Sequence, residues 1–311
     1  MAKEKAAGPL ILVDAGDALV VQRPVSLDEK TRPVAQARAE FLLRQLAAQG
    51  YSALAVGERE LVWPTAELVK KAAEVKLTLL AANLVDAQGK HPFQARTMVT
   101  CGGRKVGLFA VVEAPEYEAA GLKVTLPAEA AQAQADALRK EGAELVVGLL
   151  HMNYDAALKL AEALKGVDYA VQSHVGRPVT CQPLKATFLA GGGMRGQQIG
   201  RAVFDLQGKG PLFDVGEAAR ARAQLADQER QLATVTEQLK KATDQERPRQ
   251  QALLDAVRHR RDELKSKAEA KSPAGRRTVR TDPIALDASV PDDPAVKKEQ
   301  DALQAAAPAP K

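Results

Sequence analysis

The sequence predicts an α/β domain followed by a helical coiled coil and a non-periodic tail, on three observations. From Leu10 to about Leu206, short β-branched or aliphatic runs alternate with amphipathic helices, the order that parallel strands with helical crossovers require. After Gly210 the composition changes and apolar residues recur in steps of four and three. From Ser272 onward Pro, Ala, Asp and Lys dominate without period.

The elements follow in chain order. Residues 10–14 and 51–56 read as buried strands. Between them lies a helix over 33–49, with Pro33 in its first turn and Gly50 at its end. A second helix, 65–75, is entered through Pro64. Residues 96–100 and 105–112, joined by Cys101-Gly102-Gly103-Arg104, read as a hairpin. Helices over 127–140 and 154–164 close at Gly142 and Gly166, and strands at 145–150 and 169–172 follow them. Residues 179–189 and 199–206 read as further short strands, which makes the sheet mixed or adds a second sheet packed on the first. Ala221, Leu225, Gln228, Leu232, Val235, Leu239 and Ala242 trace a coiled-coil seam. Pro248 interrupts it before Leu254, Val257 and Leu264, so the two stretches form a kinked rod or an antiparallel hairpin. The expected organisation is a domain at 8–207, a coiled coil at 212–271 and a disordered tail at 272–311, in which Val279 and Ile284 are the residues suited to dock.

Composition narrows the function classes. At 311 residues and 46% hydrophobic the chain is long enough for a substantial core. Aromatics are only 4%, which argues against the stacking platform of a nucleic-acid binder. The net charge of +5 is densest between Arg247 and Arg280, where eleven basic residues face four acidic ones on a stretch read as helix. A solvated helix face explains it, and nucleic acid ranks last among partners. No run of about eighteen apolar residues suggests a transmembrane segment. The charged stretch 1–7 enters Leu10 directly, without a leader of the secretory kind, so the chain reads as soluble as written. Cys101 and Cys181 belong to no Cys-x-x-Cys pair and read as buried or half-buried thiols.

Four strands each deliver a metal-ligand type just past their carboxyl ends: Asp17, Glu58, His151 and His174. Ligands of open α/β sheets gather at those ends. His91 and His259 stand in polar surroundings and read as solvated.

With their neighbours, these residues make the region of about 8–207 resemble the 5′-nucleotidase branch of the calcineurin-like metallophosphoesterases. Leu12-Val13-Asp14-Ala15-Gly16-Asp17 looks like the family's Gly-Asp motif, and Gly57-Glu58-Arg59-Glu60 stands in the place of Gly-Asn-His-Glu. Ala81-Ala82-Asn83 falls where a small-residue-Asn signature comes next. Leu149-Leu150-His151 matches the histidine of a later strand. Ser173-His174-Val175-Gly176 occupies the place of Gly-His-Thr-His, and Gly193-Met194-Arg195-Gly196 with Gly200-Arg201 resembles the closing glycine-rich strands. The resemblance implies a sandwich of mixed β-sheets flanked by helices and a divalent-metal site.

The departures shape what is implied. No Asp-x-His precedes Leu10 and Gly176 replaces the last histidine, so only Asp17 remains for one of the family's two ions. The other site keeps Asp17, Glu58, His151 and His174. It implies at most one ion per chain, and its donors suit Mn²⁺, Fe²⁺ or Zn²⁺. Arg59 replaces the catalytic histidine; it stays protonated and cannot serve as the acid, but it can hold a phosphate in the catalytic and substrate-binding place. Arg177 lies beside the site, as a second anion contact or equally as a surface residue, and Gly191-Gly192-Gly193 reads as a turn. The implied function is a degenerate metallophosphoesterase with one retained metal site, taking a phosphoester or nucleotide. The alternative is a non-catalytic scaffold that assembles with itself or a protein partner through the coiled coil. Substrate specificity is not carried over, because the coiled coil stands where the family has its recognition domain. The family's usual export implies a periplasmic or exported location if a leader is missing.

Overall fold

In the computed structural model, which describes residues 6, 8–174, 181–192, 196–271 and 274–305, the alternation read from the sequence becomes two sheets with helices packed on them. Strand β1 (Leu12–Asp14) leads through the helix Arg32–Gln49 to β2 (Tyr51–Ala55), and the helix Thr65–Glu74 leads on to β3 (Leu79–Leu80). These form a parallel sheet in the order β1-β2-β3. Both helices start and stop where the sequence signals stand: proline lies in the first turn of Arg32–Gln49, and Gly50 ends it at φ 85°.

A short pair, β4 (Leu84–Val85) and β7 (Lys123–Val124), brackets the hairpin of β5 (Arg96–Cys101) and β6 (Arg104–Val112). Then come β8 (Leu145–Met152), β9 (Tyr169–His174), β10 (Gln182–Leu184) and β11 (Thr187–Gly191). The second sheet runs β10-β11-β9-β8-β6-β5. Its centre is parallel and both edges pair antiparallel, so it is mixed, as one of the two expected arrangements holds. Every residue of β8 is buried, the pattern of a central parallel strand covered on both faces.

Two apolar clusters hold these layers. One gathers Leu43, Leu54, Leu68, Trp63 and Tyr117 around the first sheet. The other gathers Phe109, Leu138, Val146, Leu150 and Leu189 around the second. Each such side chain contributes about 1.5–3 kcal/mol by leaving water. Asn83, fully buried, ties the connections together: its amide donates to the carbonyls of Val112 (2.8 Å) and Thr125 (3.1 Å), and its oxygen accepts from Val112 N (2.9 Å). All its polar atoms are spent on backbone, so the Asn83 motif is structural here.

Residues up to Arg201, with those from Pro283 on, form one compact unit, and Ala202–Asp282 forms a second. Strand β12 (Gln198–Asp205) joins a separate sheet in the order β12-β14-β13, with β13 (Lys209–Asp214) parallel to β14 (Arg276–Ala285). Between β13 and β14 the helices Glu217–Lys241 and Arg247–Glu269 fold back on each other as an antiparallel hairpin. Ala221 and Leu225 meet Leu264 and Ala268 at one end, while Leu232, Val235 and Leu239 meet Leu254 and Val257 at the other. Pro248 lies in the first turn of the second helix, where its missing N–H costs nothing. The heptad seam therefore packs within the chain.

The tail departs from expectation. Residues 272–311, read as disordered, contain β14 and a helix, Pro294–Ala305. The partners of β14 lie some seventy residues upstream, beyond the reach of local periodicity, and Val279 anchors it with no exposure. The helix had a local signal: the Asp293 carboxylate accepts from Ala295 N (2.9 Å) and Val296 N (3.2 Å), as an N-terminal cap does. Cys101 is half-buried and Cys181 buried, and neither is in a disulfide. No described helix is long and apolar enough to cross a membrane.

Candidate metal centre

Parallel strand ends bring the four expected ligands to one place. Asp17 follows β1 across the turn Ala15-Gly16, and Glu58 opens a single 3₁₀ turn, Glu58–Glu60, after β2. His151 and His174 lie within β8 and β9, not beyond them, because the ladder continues to the pairs His151–Ser173 and Met152–His174. Their ligand atoms lie within 4.8 Å of one another.

The contacts inside the group are short. His151 Nε2 stands 2.8 Å from Glu58 Oε2 and 3.5 Å from Asp17 Oδ1, and His174 Nδ1 stands 3.2 Å from Glu58 Oε2. The two imidazoles meet edge to face with centroids 4.9 Å apart. His151 Nδ1 donates to the carbonyl of Ala15 (2.9 Å), and the Ser173 hydroxyl lies at 2.9 Å from the same nitrogen. That bond keeps a proton on Nδ1 and turns Nε2 toward the carboxylates, the orientation a metal-ligating histidine takes.

Arg59 closes one side. Its backbone N–H donates to Asp17 Oδ1 (3.2 Å) and its Nε lies 3.3 Å from Asp17 Oδ2, while the side chain stays 30% exposed. Glu60, fully buried, accepts four backbone N–H bonds: from Asp17 (2.8 Å) and Gly57 (2.8 Å) at Oε2, and from Ala18 (2.8 Å) and Leu19 (3.1 Å) at Oε1.

The electrostatics follow from burial and neighbours. Burial pushes the Glu58 acid upward, but the hydrogen bond from His151 and the approach of His174 to 3.2 Å outweigh it and hold the group well below the carboxylate range. Burial raises Asp17 against the charges of His151 and Arg59. Burial lowers His151, yet its bond to Glu58 and the charge of Asp17 carry it above the ordinary imidazole value. Burial also lifts Asp14 to about 6 and Glu60 to about 7.

These residues fit a divalent cation. Two carboxylates and two imidazoles converge, and Glu58 Oε1 and His174 Nδ1 are buried without a hydrogen-bond partner. Such atoms are costly unless something satisfies them. Asp17 and His174 also hold positive φ, 67° and 104°, a strain of about 1–3 kcal/mol each that collects at functional sites.

Two glycines make the approach possible. A Cβ on Gly16, whose φ is 100°, would fall 2.7 Å from His151 Nδ1. One on Gly57 would fall 2.6 Å from Asp17 Oδ1 and 2.7 Å from His151 Cε1. Gly57→Ala is therefore expected to destabilise the first unit by about 1–3 kcal/mol through overpacking and to weaken cation binding. Urea denaturation paired with Mn²⁺ titration measures both.

The structure brings Asp17, Glu58, His151 and His174 to one place and sets Arg59 beside Asp17. Arg177, Gly176 and the segment 193–195 lie outside the described residues. His91 and His259 stand away from the group: His91 Nδ1 bonds the carbonyl of Leu84, and His259 is 79% exposed. Sequence reasoning assigned no role to Glu60 or Ser173. The signals for Glu60 were its place at the end of the motif Gly57-Glu58-Arg59-Glu60 and its position directly before Leu61-Val62-Trp63, all buried.

No protein-family model matches the chain, and no curated protein matches it in sequence. Its fold is matched among solved structures. The sulfate thiohydrolase SoxB of Thermus thermophilus, in complex with glycerol, superposes with a TM-score of 0.53 at 21% identity over 65% of this chain and 37% of that one. The calcineurin-like phosphoesterase YfkN of Bacillus subtilis gives 0.51 at 15% identity over 65% of this chain and 73% of that one. A 5′-nucleotidase precursor, also of Thermus thermophilus, gives 0.48 at 22% identity over 64% and 43%. The chain thus spans well under two thirds of the thiohydrolase and of the nucleotidase. The fold is that of the calcineurin-like phosphoesterases.

Proposed function

We propose that this chain, which has the calcineurin-like phosphoesterase fold, binds one divalent cation through Asp17, Glu58, His151 and His174 and holds a phosphoester beside it. Hydrolysis, where it occurs, is of a reduced, single-ion kind. The observation that carries the reading is the convergence of four ligand atoms within 4.8 Å, in a group where Glu58 Oε1 and His174 Nδ1 are buried without a hydrogen-bond partner. Mixed carboxylate and imidazole donors suit Mn²⁺, Fe²⁺ or Zn²⁺.

When bound, such an ion supplies Lewis-acid polarisation of a phosphoryl oxygen and acidifies water. The rest falls to the chain's own groups. Asp17 and Glu58 balance the charge of a divalent ion, which leaves the Arg59 guanidinium as positive charge for an anion. Among the described residues its terminal nitrogens carry no hydrogen bond, and a guanidinium edge suits two phosphate oxygens at once. Arg59 keeps its proton at any working pH, so it orients a phosphate and does not protonate a leaving group. Ala15 and Ser173 hold His151 in place through Nδ1.

The scaffold alternative, assembly through the coiled coil, draws no support from the seam, whose apolar residues pack against the second helix of the same chain.

The test is elemental analysis after reconstitution with Mn²⁺ or Zn²⁺, beside calorimetric titration with inorganic phosphate. Wild type is expected to retain one ion and His174→Ala none. Arg59→Ala is expected to keep the ion and to bind phosphate about tenfold more weakly, the loss of one charged hydrogen-bonding group. Wild-type protein without an ion would sink the proposal.

A further inference from the structure

Asp17 and Glu58 sit on separate turns, one after β1 and one after β2, and nothing in their own sequence fixes the distance between them. Glu60 does. Its Oε2 accepts from the amide of Asp17 and the amide of Gly57, each at 2.8 Å, and so joins the two turns at a single atom. Its Oε1 takes the next two amides, Ala18 at 2.8 Å and Leu19 at 3.1 Å. Positive φ at Gly16 (100°) and Asp17 (67°) turns three successive N–H groups toward one side, a backbone nest that receives an anion. Here the anion is the side chain of Glu60, which has no exposure to water.

We infer that Glu60 is a positioning residue: it holds Asp17 in its left-handed conformation and sets the spacing of Asp17 from Glu58 that a cation requires. Among the described residues both its oxygens are spent on amides, and neither is hydrogen-bonded to an imidazole. Its action on the cation passes through the two carboxylates. This inference rests on the cation-binding reading above.

Glu60→Gln tests it with little change in shape. The glutamine amide nitrogen takes the place of an oxygen that accepts two N–H bonds, so donors face donors and one pair of amides is released. The expected result is Mn²⁺ affinity weaker by about 10–100-fold, the usual loss when a group that orients ligands is removed. It is read from free Mn²⁺ by electron paramagnetic resonance, at a temperature where far-ultraviolet circular dichroism shows the variant folded. In the metal-free protein, the amides of Asp17, Ala18, Leu19 and Gly57 are expected to exchange with solvent faster while those of β8 do not. Asn83→Ala is the comparison, since Asn83 is equally buried and bonds only Val112 and Thr125; it is expected to lower Tm and leave Mn²⁺ affinity unchanged.

Unchanged Mn²⁺ affinity in Glu60→Gln with one ion bound by wild type overturns the inference and leaves the metal site standing. Equal losses of affinity in the Glu60 and Asn83 variants also overturn it, because destabilisation alone then accounts for the effect. Wild type that binds no Mn²⁺ overturns the site reading and this inference with it.

Discussion

Replacing His151 with alanine is expected to abolish cation binding and to cost the first unit about 3–5 kcal/mol, the loss seen when one partner of a buried charged pair is removed. The size follows from place and partners. His151 has no exposure and sits in the central strand β8, so its ring volume is left as a void. Its removal also strips Glu58, 1% exposed, of its 2.8 Å partner. His174→Ala is the useful contrast: its side chain is 14% exposed and its contact to Glu58 longer, at 3.2 Å, so it is expected to lose the ion at a smaller cost in stability. Urea denaturation with chelator present, followed by Mn²⁺ titration of each folded variant, separates the two effects. An alanine variant at 151 that still holds one ion would remove His151 from the ligand set.

Placing a carboxylate at Val257 is expected to melt the helical hairpin of the second unit. Val257 is 5% exposed and packs with Leu232, Val235, Leu239 and Leu254, where an isolated charge loses its hydration with no partner in return, at an effective cost of several kcal/mol. Val257→Asp should lose helical ellipticity from the 25 and 23 residues of the two helices. Its molar mass in light scattering should equal that of wild type, because the seam is satisfied within one chain. A wild-type oligomer that dissociates in the variant would show instead that the seam joins chains.

How much of this was legible in the sequence varies with the range of the forces involved. Strand β8 was visible because a central parallel strand is apolar along its length, and Pro33, Gly50 and Pro127 mark helix ends through constraints on their own φ. The seam of Leu225, Leu232 and Leu239 was visible as a period, but its direction was not, since periodicity is the same in a rod and a hairpin. Strand β14 was hidden because its partners are distant in sequence and only Val279 is deeply buried. At the site, ligand types could be named from strand ends, and Arg59 from its place beside Glu58. Glu60 was hidden because its worth lies in four amides, and a sequence does not show which way an N–H points.

The longest contacts of the site set a timetable for the growing chain. The bond between Ser173 and the carbonyl of Ala15 spans 158 residues, and that between His151 and Glu58 spans 93. At about 5–20 residues per second on the ribosome, the turn carrying Glu58 emerges several seconds before the strand carrying His151. Until then the nascent chain has two acidic turns and neither of the site's imidazoles to set against them. A cation that binds only the finished arrangement adds stability in proportion to the logarithm of its concentration over Kd, and on the proposed reading it does so only after β9 has been made. A chain cut short before Ser173 gains none of that stabilisation, so metal in the medium should protect full-length protein from proteolysis and leave such fragments as vulnerable as before.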